Sequence, residues 1–358
     1  MFNFKKKENS LISEVNPFFY LCDSMSAITC KILILLFIQF IALLLTKSYD
    51  SVLIISVTFS GGLLASFLYY ILTKEAFYKN YEIIIQSILI GFFLPASFPL
   101  PTAFLCSFII LFLFKIFIRH SNNWITPSAL AIVIAWFIGK SHFPQFLISQ
   151  NLIITKNPAV SLITQGTFPV FSFDSSITNF LNNYILFPFR VTIPEGLISL
   201  LWDTNSVIPA FRFNILNIIA TIVLFCDNSM MEIIPVIFMA FYALLVRLFG
   251  PLVYGGIFNT GDVILALLSS GTIFAAAFML QFPGTIPVTI NAKIIFGLLA
   301  GLFAFLINGA GTSPIGTAYT ILICNLFNLL LRSIEDIRVE KKLKTKIFSV
   351  LNLSEGNE

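Results

Sequence analysis

Two proline pairs share one spacing, Pro95 and Pro99 in the first half of the chain and Pro283 and Pro287 in the second, and each pair interrupts a long apolar run. Proline removes a backbone N–H and clashes with the carbonyl four residues before it, so each pair breaks a helix and frees carbonyl oxygens. Freed carbonyls at membrane depth, with the hydroxyls of Thr285 and Thr289, make an uncharged oxygen set that suits a cation stripped of water. Metal chemistry of other kinds is poorly provided for. Cys22, Cys30, Cys106, Cys226 and Cys324 include no C-x-x-C pair, and His120 and His142 are the only histidines, which argues against a zinc, iron–sulfur or haem site built by this chain alone. Asp262 is the carboxylate closest to such a site, but its place at the start of an apolar segment fits a helix N-cap better than an ion ligand.

A turn ending in proline follows each pair, Asn123 to Pro127 in the first half and Gly309 to Pro314 in the second. Pro127 follows Pro95 by 32 positions and Pro314 follows Pro283 by 31, which reads as an internal repeat. Interrupted hydrophobic segments at corresponding places in two halves point to a site near the bilayer midplane, where the halves meet. The residues expected to line that path are Pro95, Pro99, Asn123, Pro127, Pro283, Thr285, Pro287, Thr289 and Pro314.

Composition sets the class. With 58% hydrophobic residues, 11% charged residues and 41 Phe, the 358-residue chain carries more apolar surface than one soluble core can hide, so it reads as an all-α multi-pass membrane protein. We divide it into a cytoplasmic lead-in (1–30), a first five-helix membrane repeat (31–138), an extracytoplasmic loop (139–211), a second five-helix repeat (212–331) and a basic cytoplasmic tail (332–358). Lys5, Lys6 and Lys7 before the first span, and Arg332, Arg338, Lys341, Lys342, Lys344 and Lys346 after the last, place both termini in the cytoplasm by the positive-inside rule. The spans are expected at 30–45, 51–73, two within 83–114, then 127–138, 213–226, 233–248, 262–282, 293–308 and 315–331. A repeat of five crossings must sit upside down relative to its twin, so the architecture is an inverted repeat with broken helices. Gly297 and Gly301 form a G-x-x-x-G face for close helix approach. The 139–211 segment is too long for a simple connector and is expected to be functional.

Ordered motifs then become recognisable. The second half contains Gln281-Phe282-Pro283-Gly284-Thr285, Ala292-Lys293-Ile294-Ile295-Phe296-Gly297, Ser313-Pro314-Ile315-Gly316 and Asn325; the first contains Leu94-Pro95, Pro99 and Thr126-Pro127-Ser128. In this order they resemble the Thr-Asp-Pro-x-Thr, Gly-Arg-x-Ile-Phe-Gly, Tyr-Pro-Glu/Asp-Gly and later Asn elements, and the Leu-Pro…Pro and Asn-Pro-Ala elements, of the D subunit of the Rnf-type electron-transport complex. That family is similar to the B subunit of the sodium-pumping NADH:quinone reductase. Asn16-Pro17 resembles its Ser-Pro before the first span. Phe282, Ile315 and Lys293 replace the family's aspartate, acidic residue and arginine, so backbone-shaping residues are kept where charges are lost.

The resemblance implies a component of a larger complex rather than a self-sufficient enzyme. It would sit in the bacterial cytoplasmic membrane, with membrane and peripheral partner subunits, coupling electron transfer to movement of Na+ or H+ and binding no nucleic acid. It adds Asn325 to the path residues. It also implies FMN esterified through its phosphate to a threonine in an outside-facing loop of pattern Asp-x-x-Ser/Thr-Gly-Ala-Thr. In Phe173-Asp174-Ser175-Ser176-Ile177-Thr178 the Ser175-x-x-Thr178 spacing is kept, while Ser176-Ile177 replaces Gly-Ala and Ser172 stands where the aspartate is expected. Thr178 is therefore the candidate for covalent FMN, with Ser175 beside it, and the chemistry calls for an exposed hydroxyl; Ser161-x-x-Thr164 is a poorer match. Loop threonines also occur for their hydrogen bonds alone. A second, non-covalent flavin between the helices stays open. So do two other functions: an inverted-repeat transporter or channel for a small solute or ion without a redox role, and a structural component that docks partners.

Overall fold

Backbone groups in a bilayer must be paired within the chain, which turns the apolar runs into helices. The computed structural model describes residues 25–74, 81–118, 124–145, 148, 150–153, 158–166, 168–190, 192–226, 232–282 and 284–355, and these are helix, turn and coil. Asn123, Pro283 and the Asn16-Pro17 pair lie outside the described residues. The first repeat contains α1 (Met25–Leu45), α2 (Tyr49–Thr73), α3 (Tyr81–Phe93), α4 (Leu100–Ile118) and α5 (Pro127–Ile138). Short helices α6 (Gln150–Ile153), α7 (Pro158–Thr164), α8 (Ser172–Phe180) and α9 (Leu197–Trp202) occupy the long loop. The second repeat contains α10 (Asn214–Cys226), α11 (Ile233–Val253), α12 (Val263–Ser269), α13 (Thr272–Phe278), α14 (Ile290–Asn308) and α15 (Gly316–Glu355).

Among the described residues, six helices are long and apolar enough to cross a membrane, lying within α1, α2, α4, α11, α14 and the first part of α15, while α3, α5 and α10 contain shorter apolar segments. One expected span changes. The span expected over 262–282 is split into α12 and α13 at Ser270 and Gly271; Gly271 has φ +65° and an added Cβ would lie 2.1 Å from the Phe211 ring, so glycine is required there. The basic stretch from 332 forms one helix with the last span, α15 running to Glu355, because neither Gly nor Pro interrupts the sequence after Gly316 up to that point.

Within each repeat the second helix packs along the fourth, α2 on α4 and α11 on α14. The G-x-x-x-G face serves this packing: Cβ atoms added at Gly297 and Gly301 would lie 3.2 Å from Ile234 O and 3.1 Å from Phe238 O of α11.

Between the repeats, equivalent helices run antiparallel. Gln39 of α1 donates to Asn217 Oδ1 of α10 at 2.6 Å, and Arg212, just before α10, bonds Ser48, just after α1. Phe92 and Phe93 at the end of α3 meet Phe274 near the start of α13 at 5.4 and 5.6 Å, whereas Phe282 beyond α13 shares a small cleft with Glu82 near the start of α3. Thr126, the N-cap of α5, bonds Asn325 of α15, while Trp136 near the other end of α5 lies edge-on to Tyr319, at 6.2 Å, near the start of α15. Three antiparallel equivalent pairs define a pseudo-twofold axis in the membrane plane, which is the inverted repeat expected from the odd number of crossings.

Candidate functional site

The 12 residues of α5 reach only about 18 Å, so this helix starts inside a hydrocarbon core about 30 Å thick. Its first N–H groups have no intrahelical acceptor and no water at that depth. Pro127 at the first helical position has no N–H to satisfy. Gln86 of α3 accepts from Ser128 N at 3.1 Å. With the Asn325 amide oriented to satisfy both ends, its oxygen accepts from Thr126 N at 2.8 Å and from the Thr126 hydroxyl at 3.0 Å, while its nitrogen donates to Ile321 O. Gln86, Thr126, Ser128 and Asn325 are all buried. The structure thus brings together two residues expected on the path, Pro127 and Asn325.

A second polar layer lies at the start of α15, where Pro314 is buried in the turn from α14. Asn308, the last residue of α14, lies over the first turn of α15, since a Cβ added at Gly316 would sit 2.9 Å from its Oδ1. Neither Asn308 amide atom makes a well-formed hydrogen bond among the described residues, although the Tyr242 hydroxyl faces it while donating to Gly309 O at 3.0 Å. The buried hydroxyls of Thr317 in this layer and Ser128 in the first also lack partners among the described residues. Phe92 and Phe93 of α3 meet Phe274 of α13, which also packs on Phe278 of its own helix, and all four rings are buried. Two neutral polar layers of this kind offer oxygen and amide ligands to a small cation or polar solute, with protein dipoles instead of fixed charge.

Other expected path residues fall elsewhere. The Pro95–Pro99 turn packs against the long loop, through Ala96 N to Val207 O at 3.0 Å and Ser97 Oγ to His142 O at 3.3 Å. Thr285 donates to Phe282 O at 2.8 Å, and Thr289 donates to Glu335 Oε1 at 2.5 Å. Glu335 also accepts from the N–H groups of Val288 and Thr289, capping α14 from α15, while Arg332 holds Ile286 O. Tyr319 lies on the loop side and Glu335 is sixteen residues, or about 24 Å, further along α15. The two proline breaks therefore sit at opposite faces and cannot share a cation, which corrects the joint role expected for Pro95, Pro99, Thr285, Pro287 and Thr289. Inversion is the reason: the twofold axis carries each break to the other face. Glu335 escaped the sequence reading because its partners are 46 and 47 positions away. Asp262 does cap α12, accepting from Leu265 N at 3.0 Å, and also accepts from Ala159 N of α7.

In the loop, Ser175 is exposed on α8 but Thr178 is 1% exposed. The Thr178 hydroxyl donates to Asp174 Oδ1 at 3.0 Å, so the exposed hydroxyl that attachment calls for is not at this position in this conformation. Asp174 also accepts from Gly196 N at 2.8 Å, Ser199 N at 2.6 Å and Ser199 Oγ at 2.6 Å. Burial pushes its carboxyl up, but the bonds from Gly196, Ser199 and Thr178 prevail and hold it below the usual carboxylate value. The i, i+4 spacing of Asp174 and Thr178 was the available signal for this buried pair.

Residues 12–340 match the NQR2, RnfD, RnfE family. The chain belongs to this family. Similar proteins include the D subunit of the proton-translocating ferredoxin:NAD(+) oxidoreductase complex of Clostridium ljungdahlii, 39% identical over 92 residues that make up 26% of this chain and 27% of that protein. The D subunit of the ion-translocating oxidoreductase complex of Salmonella arizonae is 36% identical over 96 residues, 26% of each chain. Its counterpart in Haemophilus influenzae is 43% identical over 60 residues, 17% of each. These alignments span about a quarter or less of each relative's length. In this family member, Asn325→Leu removes the acceptor from Thr126 N and is expected to cost roughly 1–3 kcal/mol. Thermal unfolding in detergent checks this, and a loss below about 0.5 kcal/mol would mean that α5 finds another cap.

Proposed function

We propose that this chain is the membrane subunit of an Rnf-type electron-transport complex, coupling electron transfer between partner subunits to passage of Na+ or H+ through the two polar layers. Family membership over residues 12–340 carries this reading. The start of α5, held inside the membrane by Gln86 and Asn325, supplies a suitable path. Flavin is the electron carrier in this proposal, as covalent FMN at Thr178 or as a non-covalent flavin between helices, and the protein supplies its position and polarity. Attachment at Thr178 requires α8 to turn that hydroxyl away from Asp174.

A second reading, an inverted-repeat transporter without redox work, is favoured by the inward-facing Thr178 and by Phe282, Ile315 and Lys293 at positions of charge in the resembling family. Intact mass and in-gel flavin fluorescence of the chain from its native membrane, beside Thr178→Ala, separate the two. An added FMN-phosphoryl mass that disappears in the variant supports the redox reading. A native chain with neither covalent nor extractable flavin overturns the flavin part, and flux through reconstituted protein then becomes the deciding measurement.

A further inference from the structure

A cavity of about 420 Å³ opens where the end of α5 meets the turn between α14 and α15. Its size lies within the usual range of small-ligand sites, roughly 300–1,000 Å³. Trp136, Phe143 and Tyr319 supply aromatic walls, Ile307 and Ile315 an aliphatic surface, and Lys140, Gln145 and Ser313 the polar groups. Among the described residues the lining contains one cation and no carboxylate. Lys140 Nζ lies 5.2 Å from the Trp136 ring centroid, a cation–π contact that holds the ammonium at the aromatic wall.

The setting identifies the ligand class. Trp136 and Tyr319 lie near helix ends, in the pattern of an interfacial aromatic belt. Phe137, Ile138 and Leu306, each next to a lining residue or its neighbour in sequence, are 68%, 60% and 66% exposed, a lipid-facing surface beside the cavity. An aliphatic surface, aromatic walls and an uncompensated ammonium near lipid match an amphiphile with an anionic headgroup. We propose that this cavity binds an anionic phospholipid. Its phosphate accepts hydrogen bonds from Lys140, with Ser313 and Gln145 as further donors, and its glycerol and upper acyl carbons lie against Ile307 and Ile315. The lipid would bridge the two repeats, because α5 belongs to the first and α14 and α15 to the second.

Native mass spectrometry of the full chain in detergent, titrated with phosphatidylglycerol, phosphatidylcholine or inorganic phosphate, tests this. Wild-type protein is expected to retain phosphatidylglycerol over phosphatidylcholine, with binding about fivefold weaker in Lys140→Gln and unchanged in Lys47→Gln. Ile307→Trp keeps Lys140 but fills the cavity, and is expected to abolish retention. Equal retention of the two lipids, or an unchanged affinity in both Lys140→Gln and Ile307→Trp, overturns the proposal. Displacement of phosphatidylglycerol by millimolar inorganic phosphate assigns the site to a soluble phosphate and overturns the lipid assignment. If Lys140→Gln does not fold, the lipid preference of the wild type and the Ile307→Trp result decide.

Discussion

Replacing Asp203 with alanine is expected to destabilise the purified protein by roughly 3–5 kcal/mol. Asp203 and Arg212 have side chains only 4% and 6% exposed. They meet as a fork, with Arg212 Nη2 to Asp203 Oδ2 at 2.5 Å and Nε to Oδ1 at 2.8 Å. The guanidinium also bonds Ser48 between α1 and α2 and lies 5.1 Å from the Phe213 ring. The pair therefore fixes the end of the long loop to both repeats. Alanine would leave a buried guanidinium uncompensated, whereas Asp203→Leu with Arg212→Met removes both charges and is expected to recover most of the loss. Thermal or denaturant unfolding in one detergent measures both. If Asp203→Ala costs less than about 1 kcal/mol, the guanidinium has reached water and the pair does not anchor the loop.

How much was legible differs by residue. The bounds expected for α5, Pro127 to Ile138, coincide with the helix because proline is suited to its first position and the apolar run stops at Gly139. Hydropathy missed the division of 262–282, since Ser270 and Gly271 alter backbone geometry without much changing composition. The antiparallel pairing of repeats was readable from parity, a global constraint. The consequence for Pro95 and Pro287 needed three dimensions, because inversion sends equivalent breaks to opposite faces. Asn325 entered through motif order and lies beside Thr126; Gln86, its counterpart on Ser128 N, carried no local pattern. Polar residues that satisfy a backbone terminus on another helix are set by helix crossing, which spacing along one sequence does not encode. Ser175 and Thr178 kept a motif's spacing, but Thr178 is buried on Asp174 while Ser175, at the edge of the same helix face, stays exposed.

Asp174→Ala is expected to cost roughly 3–5 kcal/mol, because one substitution leaves the donors of Gly196, Ser199 and Thr178 without their acceptor. The carboxylate also sits at the start of α9, where negative charge is favoured. Its folded value lies below the unfolded one, so its stabilising contribution is fully present above the unfolded pKa of about 3.9 and declines as pH falls through the lower folded value. Asp174→Asn is expected to remove this acid dependence while keeping one acceptor oxygen, which proteolysis of the loop across pH 2–6 would reveal, within roughly two units either side of that pKa. A loop equally acid-sensitive in wild type and Asp174→Asn would show that another group controls the transition. The same variants bear on the hydroxyl beside it. If Thr178 accepts flavin from an opened α8, weakening its bond to Asp174 in the folded Asp174→Asn protein should increase the modified fraction. If Thr178 is solely a structural donor, stability will change while intact mass changes only by the substitution.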